Sequence, residues 1–157
     1  MRWLLALLLL LPVAAEAAGW GHYSNPRFGY GIDVPPGFAA QGESDNGDGQ
    51  VFRGPGATLT VYGGNIAEGD LESEARRRQG YASSDGWGIT YQVSTPAKAS
   101  FSGKQGGRIL YARMIALCGG SQFAAFELTY GAASINAYDP IIDRLVASFK
   151  PANGSGC

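Results

Sequence analysis

Histidine is nearly absent from this 157-residue chain, which has only His22. A single histidine excludes a three-histidine zinc site and any mechanism that needs a histidine pair within one chain. A serine-histidine-aspartate triad is arithmetically possible, but no serine lies in a Gly-x-Ser-x-Gly motif. We therefore interpret His22 as a surface residue in a loose N-terminal segment.

An excess of charge of either sign is also missing, because 12 basic and 13 acidic side chains give a formal net charge of -1. The densest basic cluster, Arg76 to Arg78, follows Glu72 and Glu74 at helical spacing. This spacing predicts Glu72 to Arg76 and Glu74 to Arg78 ion pairs on a solvated helix face. A nucleic-acid-binding protein would concentrate its basic residues on one surface, so no nucleic acid partner is expected.

The chain has no apolar run long enough for a transmembrane helix. The longest run, Trp3 to Val13, has 11 residues, whereas a spanning helix needs about 20. It follows Arg2 and precedes Ala15-Glu16-Ala17, an order of features typical of an export signal. We predict a signal peptide at residues 1–17, cleavage near Ala17, a periplasmic or secreted location and no membrane span in the mature chain.

Cysteine is scarce as well, and the two present are Cys118 and Cys157. Because export leads to an oxidising compartment, we expect the two to form a disulfide that closes a loop of about forty residues. This bond would hold a glycine-containing tail, residues 151–157, against a single domain formed by residues 18–150. The alternative is two unrelated thiols, with Cys157 free to form an intermolecular bond.

Alternating apolar residues predict most of the strands. Phe28, Tyr30, Ile32 and Val34 alternate with small or polar residues, and the polar loop Gly42 to Gly49 follows. Further strands are predicted at Gln50 to Arg53, Ala57 to Tyr62, Ile89 to Val93, Lys98 to Ser102, Arg108 to Leu117 and Gln122 to Tyr130. Glycine-rich segments such as Gly54 to Gly64 are interpreted as hairpin turns, since they lack phosphate-loop spacing.

Two helices are predicted. Asp70 is a suitable N-cap for a charged helix from Leu71 to Gln79 that Gly80 ends. Asp139 and Pro140 begin an amphipathic C-terminal helix. Short links between strands favour antiparallel pairing, so the predicted fold class is α+β: a mainly antiparallel sheet with a surface helix and the C-terminal helix packed on it.

Four segments carry a family resemblance: RFGYGIDVP, ESDNGDGQVF, SGKQGGRILY and YDPIIDRLVASF, which begin at Arg27, Glu43, Ser102 and Tyr138. In this order they resemble a group of uncharacterised exported proteins of Gram-negative bacteria. The strand ending in IDVPPGF, with a strand-rich middle and a C-terminal helix, also resembles the PsbP fold, an α/β/α sandwich. The PsbP resemblance implies a non-enzymatic accessory domain. It assigns no functional residue, because that group has no invariant catalytic motif.

The loop before the second predicted strand is a candidate metal site. Asp45, Asn46 and Asp48 supply oxygen ligands of the kind that Ca2+ prefers. Compared with the EF-hand pattern, however, Ser44 and Pro55 occupy the first and last ligand positions. The other interpretation is a turn built from Asx side chains and glycine.

A possible partner surface is Trp87, which lies between two glycines. We predict a monomeric, non-catalytic binding or accessory module of the cell envelope that binds an unknown envelope protein or ligand, with no cofactor other than possible calcium. One alternative is a small hydrolase that pairs Asp33 with Asp45 or Asp48, one carboxyl group acting as acid and the other as base. Another is a calcium-stabilised envelope protein.

Overall fold

The computed structural model describes residues 19–152 and Cys157. The predicted signal peptide, residues 1–17, and its cleavage near Ala17 lie outside the described residues. Among the residues that are described, no helix is long and apolar enough to cross a membrane.

The described chain is an α+β domain, which confirms the predicted fold class. Its strands and helices are β1 (Gly21–Asn25), β2 (Tyr30–Val34), β3 (Ala39–Glu43), β4 (Gly49–Gly54), β5 (Ala57–Asn65), α1 (Leu71–Ser84), β6 (Gly88–Ser94), β7 (Lys98–Gln105), β8 (Arg108–Leu117), β9 (Gln122–Gly131), α2 (Ile135–Ser148) and β10 (Lys150–Pro151). Seven strands form a large antiparallel sheet in the order β3-β4-β5-β9-β8-β7-β6, and β1-β2-β10 form a small one.

The front face of the large sheet, which carries Leu59, Phe126 and Leu128, packs against the small sheet and α2. The predicted alternation in β2 and β9 is confirmed, since every second side chain in these strands enters this core. Aromatic rings join the layers: Phe126 meets Phe149 edge-on at 5.2 Å between ring centroids. Burial of such large apolar rings stabilises the domain.

The back face of the large sheet is covered by α1 over β6, β7 and β8. Leu71 and Ala75 are buried there, against Ala99, Met114, Phe123 and Ala125 of the sheet. The predicted N-cap is confirmed, because Asp70 accepts a hydrogen bond of 2.8 Å from the backbone N–H of Ser73. Gly80 does not end the helix as predicted; α1 continues to Ser84, and the chain turns at Gly86, where φ is 93°.

The predicted start of the C-terminal helix was wrong. Ser134 is the N-cap of α2, and Pro140 lies inside the helix, five residues after its first residue. Proline is unfavourable there because it cannot donate a backbone hydrogen bond to the preceding turn. Tertiary packing offsets this cost: Tyr138, in the first part of the helix, is buried and stacks on Tyr130 at 4.4 Å.

Three strands were not predicted. His22 lies in β1, opposite Asp33 of β2, and not in a loose segment. The third strand, β3, includes the start of the predicted polar loop, and Pro151 of the predicted tail lies in β10. These strands are short, and β3 is exposed along its whole length, so none of the three contains the apolar alternation by which strands are recognised.

Two consecutive glycines in β5 make room for phenylalanine rings on both faces of the sheet. A Cβ atom at Gly63 would lie 2.5 Å from Cγ of Phe28, and one at Gly64 would lie 2.8 Å from Cε1 of Phe123. The hairpin-turn interpretation holds for Gly54 and Gly56 but was wrong for this pair, which lies within a strand.

Replacing Gly63 with alanine is expected to lower the free energy of unfolding by about 2 kcal/mol, because the buried ring of Phe28 must shift to admit the methyl group. Urea denaturation measures the change. Gly107→Ala is the matched control, since no heavy atom lies within 4 Å of a Cβ atom at that position. Equal effects of the two substitutions would contradict the packing explanation.

Candidate functional site

Because α1 covers only part of the back face, the other part opens into a cleft of about 490 Å3 beside the helix. We refer to it as the back-face cleft. Its lining is Gly42, Ser44, Asp48, Gly49, Gln50, Val51, Thr60, Val61, Tyr62, Arg78 and Glu127.

The floor of the cleft is a row of side chains on neighbouring strands. Val51 of β4 lies opposite Thr60 of β5, and Thr60 lies opposite Glu127 of β9. Tyr62, two residues further along β5, donates a hydrogen bond of 2.9 Å from its hydroxyl to Oε1 of Glu127. Burial, reinforced by the Glu127 carboxylate, raises the pKa of Tyr62 well above its ordinary value. Tyr62 therefore stays protonated and orients Glu127 as a hydrogen-bond donor.

The wall of the cleft is formed by Arg78 of α1. Its Nε donates to Oε1 of Glu74 at 2.8 Å, and Oε2 of Glu74 lies 3.1 Å from Nη1 of Arg77. The Arg78 guanidinium lies over three aromatic rings, 5.2 Å from the centroid of Tyr62, 5.1 Å from that of Phe123 and 5.9 Å from that of Tyr81. The arginine is thus held in place by a carboxylate on one side and by aromatic faces on the other.

The sequence predicted only part of this network. The Glu74 to Arg78 pair is confirmed, but Glu74 is buried and does not lie on a solvated face. The predicted Glu72 to Arg76 pair is absent from the ion pairs of the described residues; Arg76 donates instead to Ser73. Sequence reasoning did not identify the cleft.

A second open surface lies on the front face, beyond the edge of α2. Tyr91 and Val93 of β6 and Ile135 of α2 are exposed by 52%, 46% and 42% of their areas. We refer to these three residues as the β6 surface. Strand β6 is the last strand of the large sheet and contains no charged residue. Its outer edge therefore presents backbone groups that no strand among the described residues pairs.

The predicted calcium loop is closed by its own hydrogen bonds. The Asp48 carboxylate accepts from Oγ of Ser44 at 2.6 Å and from Nδ2 of Asn46 at 2.8 Å. The backbone N–H of Asp48 donates to Oδ1 of Asn46 at 3.4 Å, which matches the Asx-type turn interpretation. Within residues 19–152 and Cys157, no group of three or more histidine, cysteine or acidic side chains is arranged to hold a metal ion. Calcium binding by Asp45, Asn46 and Asp48 stays a prediction.

The structure does not bring Asp33 and Asp48 together as an acidic pair. With the His22 proton assigned to Nδ1, Asp33 accepts hydrogen bonds from His22 at 3.1 Å and from Arg144 at 3.0 Å. These two partners lower the pKa of Asp33. It lies on the opposite face of β2 from Tyr30, whose hydroxyl donates to the backbone carbonyl of Asp48. Asp33 therefore fixes β1 and α2 to β2.

The remaining predicted positions lie apart from the cleft. Cys118 and Cys157 are at disulfide distance, with 5.2 Å between their Cα atoms, as expected. Trp87 is half-buried and packs against Phe101 and Leu110 on the back face. Its role in partner binding stays a prediction.

No family model matches the chain, and no curated protein matches it. Solved structures do. The chain is similar to the cyanobacterial PsbP protein CyanoP from Synechocystis sp. PCC 6803, with a TM-score of 0.64 and 16% identity over 88% of this chain and 95% of that one. It is also similar to the Ran-binding protein Mog1p of Saccharomyces cerevisiae, with a TM-score of 0.64 and 11% identity over 88% of this chain and 98% of that one.

These likenesses confirm the PsbP-like fold. At such low identity they show the fold alone, because one fold carries many functions.

Proposed function

We propose that the protein is an exported, non-catalytic accessory module of the cell envelope and that it binds a partner protein at the β6 surface. The observation that carries the proposal is the uncharged, uncovered edge of β6 beside exposed Tyr91 and Val93. Mog1p, a Ran-binding protein of similar fold, supports a protein-binding role.

The physical argument rests on what an exposed edge strand does. Natural sheets protect their edges with lysine, proline or a covering element, because unpaired N–H and C=O groups recruit further strands. In β6 neither lysine nor proline is present, and the pairing, which is irregular between Ile89 and Tyr91, is regular from Tyr91 to Ser94. An extended segment of a partner can add there as an eighth strand, and its apolar side chains can pack on Tyr91 and Val93.

A lysine at position 93 tests this proposal, because it places a charge on the β6 surface, on the same face of the strand as Tyr91. We expect Val93→Lys to reduce capture of a specific envelope protein by about tenfold, equivalent to about 1.4 kcal/mol. Quantitative mass spectrometry after affinity capture from an envelope extract measures the loss. Tyr81→Ser is the matched control, since Tyr81 is 56% exposed but lies on α1.

Equal recovery of every protein by Val93→Lys and by the unmodified chain would contradict binding at β6. Turnover that is lost when one polar residue is replaced would contradict the non-catalytic assignment. Export is tested separately by cell fractionation and N-terminal sequencing, for which we expect a periplasmic or secreted chain that begins near Ala18.

A further inference from the structure

We infer that the back-face cleft binds a neutral, hydroxyl-rich ligand, a sugar or the sugar end of a glycan, through Glu127, Arg78 and Thr60. The cleft lies on the opposite face of the large sheet from the β6 surface. The inference therefore does not depend on the proposed partner.

The free hydrogen-bonding groups of the cleft are of complementary kinds. Oε2 of Glu127 and both terminal nitrogens of Arg78 have no hydrogen-bond partner within the described part of the chain. Thr60 adds a hydroxyl beside Glu127. A vicinal diol fits such a set, since one hydroxyl donates to the carboxylate while its neighbour accepts from the guanidinium.

A charged ligand fits less well. Glu127 and Asp48 both line the cleft, and neither has a basic side chain within ion-pairing distance in the described structure, so an anion meets two carboxylates. A cation meets the guanidinium of Arg78 on the wall. A neutral ligand uses both kinds of group and is repelled by neither. The apolar side chain of Val51, beside Thr60, offers contact for the C–H face of a ring.

Both polar groups are oriented before any ligand arrives. Tyr62 holds Glu127 from the floor, while Glu74, which is 2% exposed, holds Arg78 from within the helix packing. Groups fixed in this way lose little conformational entropy on binding. The volume of about 490 Å3 lies in the range of small-ligand sites, roughly 300–1,000 Å3.

NMR titration of the purified 15N-labelled protein tests the inference. The probes are glucose, maltotriose and permethylated glucose, in separate titrations. We expect saturable shifts of the backbone amides of Val51, Thr60 and Glu127 with glucose, with maltotriose or with both, and none with permethylated glucose, which has no hydroxyl donors. Saturation by glucose identifies free sugar as a source, and saturation by maltotriose alone identifies a glycan end.

Substitutions assign the binding to the cleft. Glu127→Gln keeps the shape of the side chain but removes its charge, and we expect it to weaken binding by about tenfold. Asp143→Asn, the same loss of charge on α2 across the sheet, is the matched control and is expected to leave the affinity unchanged. Thr60→Val preserves the strand and removes one hydroxyl, so it is expected to weaken binding even if Glu127→Gln folds poorly.

Any one of three results would overturn the inference. The first is that neither glucose nor maltotriose gives a saturable shift at concentrations up to about 100 mM. The second is that permethylated glucose gives shifts equal to those of glucose, and the third is that Glu127→Gln and Thr60→Val both bind the sugar with unchanged affinity.

Discussion

Replacing Cys157 with serine is expected to lower the free energy of unfolding by about 4 kcal/mol, because the bond to Cys118 closes a loop of 39 residues. In the unfolded chain this loop removes many conformations, which stabilises the folded state by comparison. The bond also joins the end of β8 to the segment that follows β10. Urea denaturation with and without reductant measures the effect.

The backbone at Cys118 provides an internal control. Cys118 has a φ of 49°, and among the described residues it is the only non-glycine residue with positive φ. A side chain in this left-handed region costs about 1 kcal/mol, which glycine avoids. Cys118→Gly is therefore expected to lose about 1 kcal/mol less stability than Cys157→Ser. If reductant left the unmodified protein as stable as before, the disulfide prediction would be wrong.

Replacing Arg78 with methionine is expected to cost about 3 kcal/mol of unfolding free energy, because it leaves the buried Glu74 carboxylate without its hydrogen-bonded partner. Methionine preserves most of the apolar stem, so packing on Tyr62 and Phe123 is largely retained. Among the described residues, only Arg77 then forms an ion pair with Glu74, and the Arg77 side chain is 37% exposed. Thermal and urea unfolding of the variant measure the loss.

Two further variants separate charge from packing. Arg77→Met removes the more exposed partner and is expected to cost less than about 1 kcal/mol. The double variant Glu74→Met with Arg78→Met removes both charges and is expected to recover most of the stability lost by Arg78→Met, because an apolar pair carries no desolvation cost. Failure of the double variant to recover stability would assign the effect to the shape of the arginine.

Strands with strict alternation were predictable, and the reason is local. In β2 and β9 a period of two places Tyr30, Ile32, Phe126 and Leu128 on one face, so the pattern can be read without knowing the partner strand. The N-cap at Asp70 was also predictable, because it depends only on Asp70 and the first turn of the helix that follows it. These features account for the correct fold class.

The start of α2 and the cleft depend on distant parts of the chain. Pro140 is a strong local signal for a first helical turn, but stacking of Tyr138 on Tyr130 outweighs it. Glu127 and Tyr62 are 65 residues apart and meet only because β5 pairs with β9. Neither the residue types nor their spacing in the sequence predicts that Tyr62 and Glu127 lie side by side.

The small sheet has a consequence for the order of folding. Strand β2 pairs with β1 immediately before it, but its other neighbour is β10, near the far end of the described chain, through Gly31 and Lys150. Contacts between segments so distant in sequence carry a large loop-closure entropy and form slowly. The β2-β10 pairing is thus expected to complete the front layer only after the large sheet has brought β2 and β10 together.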